Sequence, residues 1–441
     1  MNEATLEYLN QAFETLSSIL PGAERRWLRN ARRHAFEQFE ELGFPTTQLE
    51  DWKYTNVATI AKRSWHFASP QSDHMDVSGI VDDLVPDKEV GRLVFVNGRH
   101  MPRLSRMPAL PEAAFVGSLT RAIREVPERL REVIGQQAPR DGFAALNTAF
   151  LSDGYVLLLP PDCTIETPLV MLFLTDEAGL AIHPFNAILA DARSRCSVVE
   201  QFVGIADDAY LLNTVTKIVA GEEANIQHCR VQQEARSAFH IARVDVTQQR
   251  ASRFTSHSFA LGGALSRTEI DTALRAFDTY AELNGLYFVG ARQHVDHHTR
   301  IDHEKPDGTS REYYRGVLDG ASHGVFNGNV IVRKDAQRTD THQANYNLLL
   351  SRDAQIDTKP QLEIHADDVK CTHGATVGQL DENQLFYLRS RGIDERIARA
   401  LLVWGFARDS VERVNIGAVR SRLKKLLLAR VPEGEYMRGL I

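Results

Sequence analysis

The sequence predicts a mainly β protein, with a β-solenoid favoured as its core and helical regions at both ends. Three observations carry this. From about Gly154 to Gly378 short strand patterns follow one another, among them YVLLL, LVMLFL, SVVEQFV, YLLNTVTKIVA, NIQHCRV, FHIARVDVT, GVFNGNVIV, NYNLLL and QLEI. No helical pattern intervenes, which disfavours a βαβ sheet and leaves a sandwich, a propeller or a solenoid. Next, KDAQRTDT (334–341) and RDAQIDTK (352–359) share Asp-Ala-Gln at an offset of 18, and GEEAN, TYAELNG and DGASHG carry similar small-after-polar turns. Irregular repeats of this size suit stacked coils burying a shared core. Finally, both ends of the chain switch to helical periodicity.

Taken in order, Leu6, Leu9, Phe13 and Leu16 recur at helical spacing until Pro21-Gly22 breaks the pattern. A second helix is expected from about Glu24 to Leu42, with Trp27, Ala31, Ala35, Phe36 and Phe39 on one side, Gly43 as its cap and Pro45 as its stop. Its arginines, Arg25, Arg26, Arg29, Arg32 and Arg33, read as a solvated face. LVFVNGRH (93–100) reads as a strand entering an Asn-Gly turn, and residues 118–134 as helix restarted at Pro127. LNTAF (146–150) reads as a short helical lead-in. After Gly378, Asp381 and Asp394 cap two helices, and Val419, Leu423, Leu426 and Leu427 mark a third. This tail holds 12 Lys+Arg and 8 Asp+Glu. Its simplest role is to cover the end of the solenoid. The expected regions are 1–140 (mostly helical), 141–378 (solenoid) and 379–441 (helical).

At 441 residues the chain buries a large core without disulfide or metal staples. The balance of 51 Lys+Arg against 58 Asp+Glu argues against a general nucleic-acid binder. No run reaches the roughly 18 apolar residues of a membrane span. The acidic, amphipathic start lacks the features of a secretory signal, so a cytoplasmic setting with reduced thiols is expected. Cys163, Cys196, Cys229 and Cys371 form no CxxC motif. The first three sit in apolar or alternating segments and read as buried small hydrophobes.

Walker, dinucleotide-binding, nucleophile-elbow and HExxH motifs are missing. Two clusters could carry chemistry. HVDHHTRIDH (294–303) holds imidazoles and carboxylates, good ligands for zinc or iron. Strand alternation puts Asp296, His298 and Asp302 on one face and His297 and His303 on the other, with no closed ligand set on either. A polar solenoid rung is the plainer reading. KCTHGATVG (370–378) places Cys371 and His373 two residues apart, on one face of a strand. A thiolate beside an imidazole suits soft metals, iron with sulfide, or a nucleophile–base pair. Two ligands cannot hold a cluster, so the others must come from another chain.

These residues also carry a resemblance. HADDVKCTHGATVGQLDENQLFYLRSRGID resembles the C-terminal signature of the SufD family, scaffold subunits of the SUF iron–sulfur cluster assembly system. FPTTQLEDWKYTNV (44–57) and THQANYNLLLSRDAQIDTKPQLEI (341–364) are similar to the family's N-terminal motif and solenoid end, so nearly the whole chain is covered. The sister SufB proteins share the QLFY-x-x-x-RGI run but lack the KC-x-HGAT pattern. The resemblance implies a right-handed parallel β-helix between helical regions, in a non-catalytic subunit that pairs with SufB through its β-helix ends. It implies that the C-terminal helices bind the ABC-type ATPase SufC, with Leu385, Phe386, Ile397, Leu401 and Trp404 as docking candidates. It also implies a part for Cys371 and His373 in acquiring iron and assembling a nascent cluster. No cofactor is expected on the isolated chain; a transient cluster or iron, with His373 as a shared ligand, is expected in the complex. The isolated chain could pair with itself. The competing readings are a β-helix carbohydrate-active enzyme of the secreted type and a stand-alone metalloprotein using the His-rich segment.

Overall fold

A computed structural model of the chain describes residues 3–67, 75–135, 138–206 and 208–437. Two sheets face one another. The first has ten strands, beginning with the hairpin Gly91–Val96 and Arg99–His100 and ending on Asp340–Leu349 and Lys370–Gly378. The second runs from Phe115–Ser118 and Tyr155–Leu159 to His323–Val332 and Gln355–Ile364. From Arg195 onward each strand of one sheet is followed by a strand of the other, and neighbours pair in parallel. The result is a parallel β-solenoid of about eight turns.

One set of corners shows the repeat. Asp162, Arg193, Glu223, Ala251, Asp278, Asp307 and Arg338 have φ between 54° and 63° and follow one another at 27 to 31 residues. The residue after each is small: Cys163, Ser194, Ala224, Ser252, Thr279, Gly308 or Thr339. Each turns the chain with a left-handed residue and then buries a small residue. The expected offset of 18 between the two Asp-Ala-Gln segments is therefore the step from one corner to the next, in the opposite sheet. Ala336 and Ala354 of these segments both enter the solenoid core.

Three further apolar layers surround that core. The N-terminal helices Glu3–Leu16, Arg26–Leu42 and Gly142–Ala149 pack Leu9, Phe36, Phe39, Phe143 and Phe150 near Leu211, Phe239, Ile241 and Leu265 of the second sheet. Helices Leu119–Glu125 and Pro127–Arg131, restarted at Pro127 as expected, extend this cover. The C-terminal helices Glu382–Ser390, Glu395–Glu412 and Gly417–Leu428 cover the outside of the first sheet, where Val403, Trp404, Ala407, Leu423 and Leu427 join Val231, Leu286 and Val317. Asp381 and Asp394 cap the first two of them through side-chain bonds to Asn383 and Arg396 amides.

This placement corrects the expected role of the tail. Its helices lie along the flank of the solenoid and leave its last coil uncovered. The first coil is closed by antiparallel strands, Arg99–His100 on Gly91–Val96 and Phe115–Ser118 on Tyr155–Leu159. At the other end, Gln355–Ile364 and Lys370–Gly378 each pair on one side only. Val377 is 49% exposed and Ile364 42%. Among the described residues no helix is long and apolar enough to cross a membrane.

Candidate functional site

Cys371 and His373 stand on the last strand of the first sheet, beside Thr341 and Gln343 of the preceding coil. Thr341 and Gln343 point inward and are buried. Strand alternation therefore sets both residues on the inward-facing side of the last coil. Cys371 is half-buried and packs against the solenoid core. Burial pushes its thiol up, and the nearby Asp340 adds to this. At neutral pH it is a protonated thiol that must lose a proton to bind metal. His373 is exposed. Two strand residues apart, the groups are roughly 6–7 Å from each other along the backbone.

The coils behind this pair are polar inside. His303 Nε2 lies 2.9 Å from Ser310 Oγ, and Ser310 donates to Thr341 Oγ1 at 2.8 Å. Gln343 Nε2 donates to Glu312 Oε2 at 2.6 Å, and burial pushes the Glu312 carboxyl up to about 7. Deeper in the solenoid, Arg230 donates to Glu200 at 2.6 Å. Burial alone would raise the Glu200 carboxyl, but Arg230, His228 and Thr216 bring it to about 2. Alternating polar residues on a strand ordinarily signal a solvated face, so these buried groups carry no distinguishing signal in the sequence.

The His-rich segment is the strand His294–His303. His297 and His303 share the inward face with Val295 and Ile301, while Asp296 and His298 face outward, as alternation required. Asp296 is buried under the N-terminal region, where it accepts from Arg267 and from Thr55 at 2.5 Å and lies 3.0 Å from His298. Arg267 in turn lies 4.0 Å from the Trp52 ring centre. Trp52 and Thr55 thus give the LEDWKYT motif a structural role: it staples the N-terminal region to the second sheet. Among the described residues no three His, Cys, Asp or Glu side chains stand together as a metal site.

Cys163, Cys196 and Cys229 are buried, and burial pushes the Cys196 thiol up to about 12. Of the docking candidates, Leu385 and Trp404 are buried and do not present a surface. They form the inner stripe of their amphipathic helices. Ile397 and Leu401 are half-buried, whereas Phe386 is 72% exposed, with Tyr387 beside it at 57%. A groove of about 550 Å³ between the helix Arg26–Leu42 and the second sheet is lined by charged side chains that largely pair with one another, Lys217 with Asp245 and Arg140 with Asp271 among them.

Residues 173–406 match the family described as "SUF system FeS cluster assembly, SufBD core domain", and residues 3–171 match "SufBD protein N-terminal region". An iron–sulfur cluster assembly SufBD family protein of Synechocystis is 31% identical over 424 residues, covering 94% of this chain and 93% of its own. The iron–sulfur cluster assembly protein SufD of Escherichia coli is 29% identical over 414 residues, covering 92% and 93%. SufD of Bacillus subtilis is 26% identical over 423 residues, covering 92% and 95%.

Proposed function

The chain belongs to the SufBD family of the SUF iron–sulfur cluster assembly system, and from that premise we propose that it is a SufD-type, non-catalytic scaffold subunit of a cytoplasmic assembly complex. Its uncovered solenoid end pairs with a SufB-like paralogue. Its C-terminal helices dock a SufC-like ABC ATPase, with Phe386 and Tyr387 as the exposed anchors. Iron and sulfide are the cargo, assembled at a site to which this chain contributes Cys371 and His373 and the partner the remaining ligands.

The observation that carries this reading is the position of the C-x-H pair on an edge strand that no other strand or helix among the described residues covers. A partner strand placed there would complete the backbone pairing and enclose both side chains. A site split between subunits also releases its cargo when they move apart. The Cys371 thiol is partly shielded in the isolated chain, and we infer that ATPase-driven movement exposes it further.

The test is affinity purification of the chain from its native cytosol. Recovery of a paralogous solenoid subunit and an ABC-type ATPase supports the scaffold role, and its loss in a Phe386→Ala/Tyr387→Ala variant places the ATPase contact. Recovery of the chain alone at near-native expression removes the shared-site mechanism. Loss of cluster assembly with His373→Ala but not with Cys371→Ser would restrict the site to His373.

A further inference from the structure

Glu312, Gln343 and His373 occupy one file, side by side on three successive strands of the first sheet. Glu312 and Gln343 are inside, 2% and 0% exposed. The Gln343 amide is held at its nitrogen end by the bond to Glu312. It also fills the space opposite Gly328 on the second sheet, where a Cβ would come within 2.2 Å of Nε2. At its other end Oε1 is buried and has no partner. A buried carbonyl oxygen without a donor is costly. The next side chain in the file is His373, one strand spacing of about 4.8 Å away.

We propose that Gln343 is a positioning residue for His373: its Oε1 accepts one ring N–H of His373 and leaves the other ring nitrogen free for iron. A neutral imidazole has one N–H and one lone pair, so fixing the first fixes the second. Histidines that bind metals are ordinarily oriented in this way by a carbonyl or carboxylate. Glu312 Oε2 accepts from the amide nitrogen, which turns that nitrogen toward the interior and the amide oxygen away from it. The file thus reaches from the closed interior to the edge strand. The iron part of this inference rests on the proposed function; the orientation of the ring does not.

The experiment compares the full-length wild-type chain with Gln343→Leu and Gln343→Met, both lacking the acceptor; the unbranched Met variant serves if Leu disturbs folding. With ¹⁵N-labelled histidine, and His373 assigned by the signal lost in His373→Gln, the wild type is expected to show one neutral tautomer. The variants are expected to show a mixture. In the complex with its paralogue and ATPase, supplied with ferrous iron and sulfide, iron affinity is expected to fall about ten- to a hundredfold. An unchanged tautomer in folded variants overturns the proposal, and so does a changed tautomer with unchanged iron affinity. If His373→Ala leaves iron binding of the complex intact, His373 is not the ligand, and the iron half falls with that reading. The tautomer measurement then decides separately whether Gln343 orients the ring.

Discussion

Replacing Glu312 with Gln should remove a pH-dependent loss of stability. Burial holds this carboxyl at about 7 against an ordinary 4.5, although the bond from Gln343 pulls it down. The folded protein therefore favours the protonated form. That contribution is complete below about pH 4.5 and disappears as the pH rises through 7. A displacement of about 2.5 units corresponds to about 3 kcal/mol. Gln keeps the shape and an oxygen for Gln343 to donate to, but does not titrate. The variant should match the wild type below about pH 4 and exceed it by about 3 kcal/mol near pH 8.5. Unfolding entropy of about 2.1 cal/mol/K per residue over the whole chain turns this into a rise in Tm of roughly 3 °C. Thermal unfolding of both proteins at several pH values reads the difference, and groups common to both cancel. Parallel wild-type and variant curves from pH 5 to 8.5 would refute a buried, titrating Glu312.

Three other outcomes follow from the same structure. Asp296→Asn leaves the buried Arg267 with only Glu269, 3.7 Å away, as a charge partner, which costs up to about 3–5 kcal/mol and should lower Tm by several degrees; an unchanged Tm would mean that the N-terminal staple does not bear on stability. Arg315 donates to the Phe406 carbonyl at 2.5 Å and pairs with Asp409 at 2.6 Å, so Arg315→Ala should loosen the helix Glu395–Glu412. Limited proteolysis should then cut the C-terminal region about tenfold faster, and an unchanged rate counts against this anchor. Native alkylation should modify Cys371 alone among the four cysteines, faster as the pH rises because its thiol is pushed up. Modification of Cys196 or Cys229 at a comparable rate would contradict their burial.

The helices were legible because their signals are local: Asp381 and Asp394 at caps, Pro127 at a first turn, Gly43 at an end. What they pack against was not. An amphipathic stripe such as Val403, Trp404 and Ala407 shows that one face is buried, not whether it meets the flank of a solenoid or its end. Strands with apolar runs were legible, while Leu265–Leu274 and Thr309–Leu318 were not among the patterns recognised. Their inward positions hold Ser266, Thr268, Ser310 and Glu312 instead of an apolar face, with Ser310 bonded to Thr341 and Glu312 to Gln343 of the next coil. The corners were obscured for a related reason. Asp, Arg, Glu and Ala all take the left-handed position, so no Gly marks the coil. The C-x-H pair was legible as chemistry, but its file with Gln343 and Glu312 depends on a coil register that no local motif displays.

The two ends of the solenoid are treated differently, and the difference bears on function. At the first coil antiparallel strands close both sheets, so this fold has a means of ending itself. At the last coil that means is not used. An exposed sheet edge invites indiscriminate pairing, and proteins usually guard one with Lys, Pro or a covering element. Here the guarding is uneven. The last strand of the second sheet carries Pro360, which has no N–H to donate, and Lys359, tied to Glu50 at 2.5 Å. The last strand of the first sheet has no proline, carries a lysine only at its first position, Lys370, and exposes most of its length. Of the two edge strands, the one that bears Cys371 and His373 is therefore the less guarded against backbone pairing. On the proposed function, an edge kept for a partner, carrying a soft thiol and an imidazole on its inward side, would make the arrival of the partner and the completion of a metal site the same event.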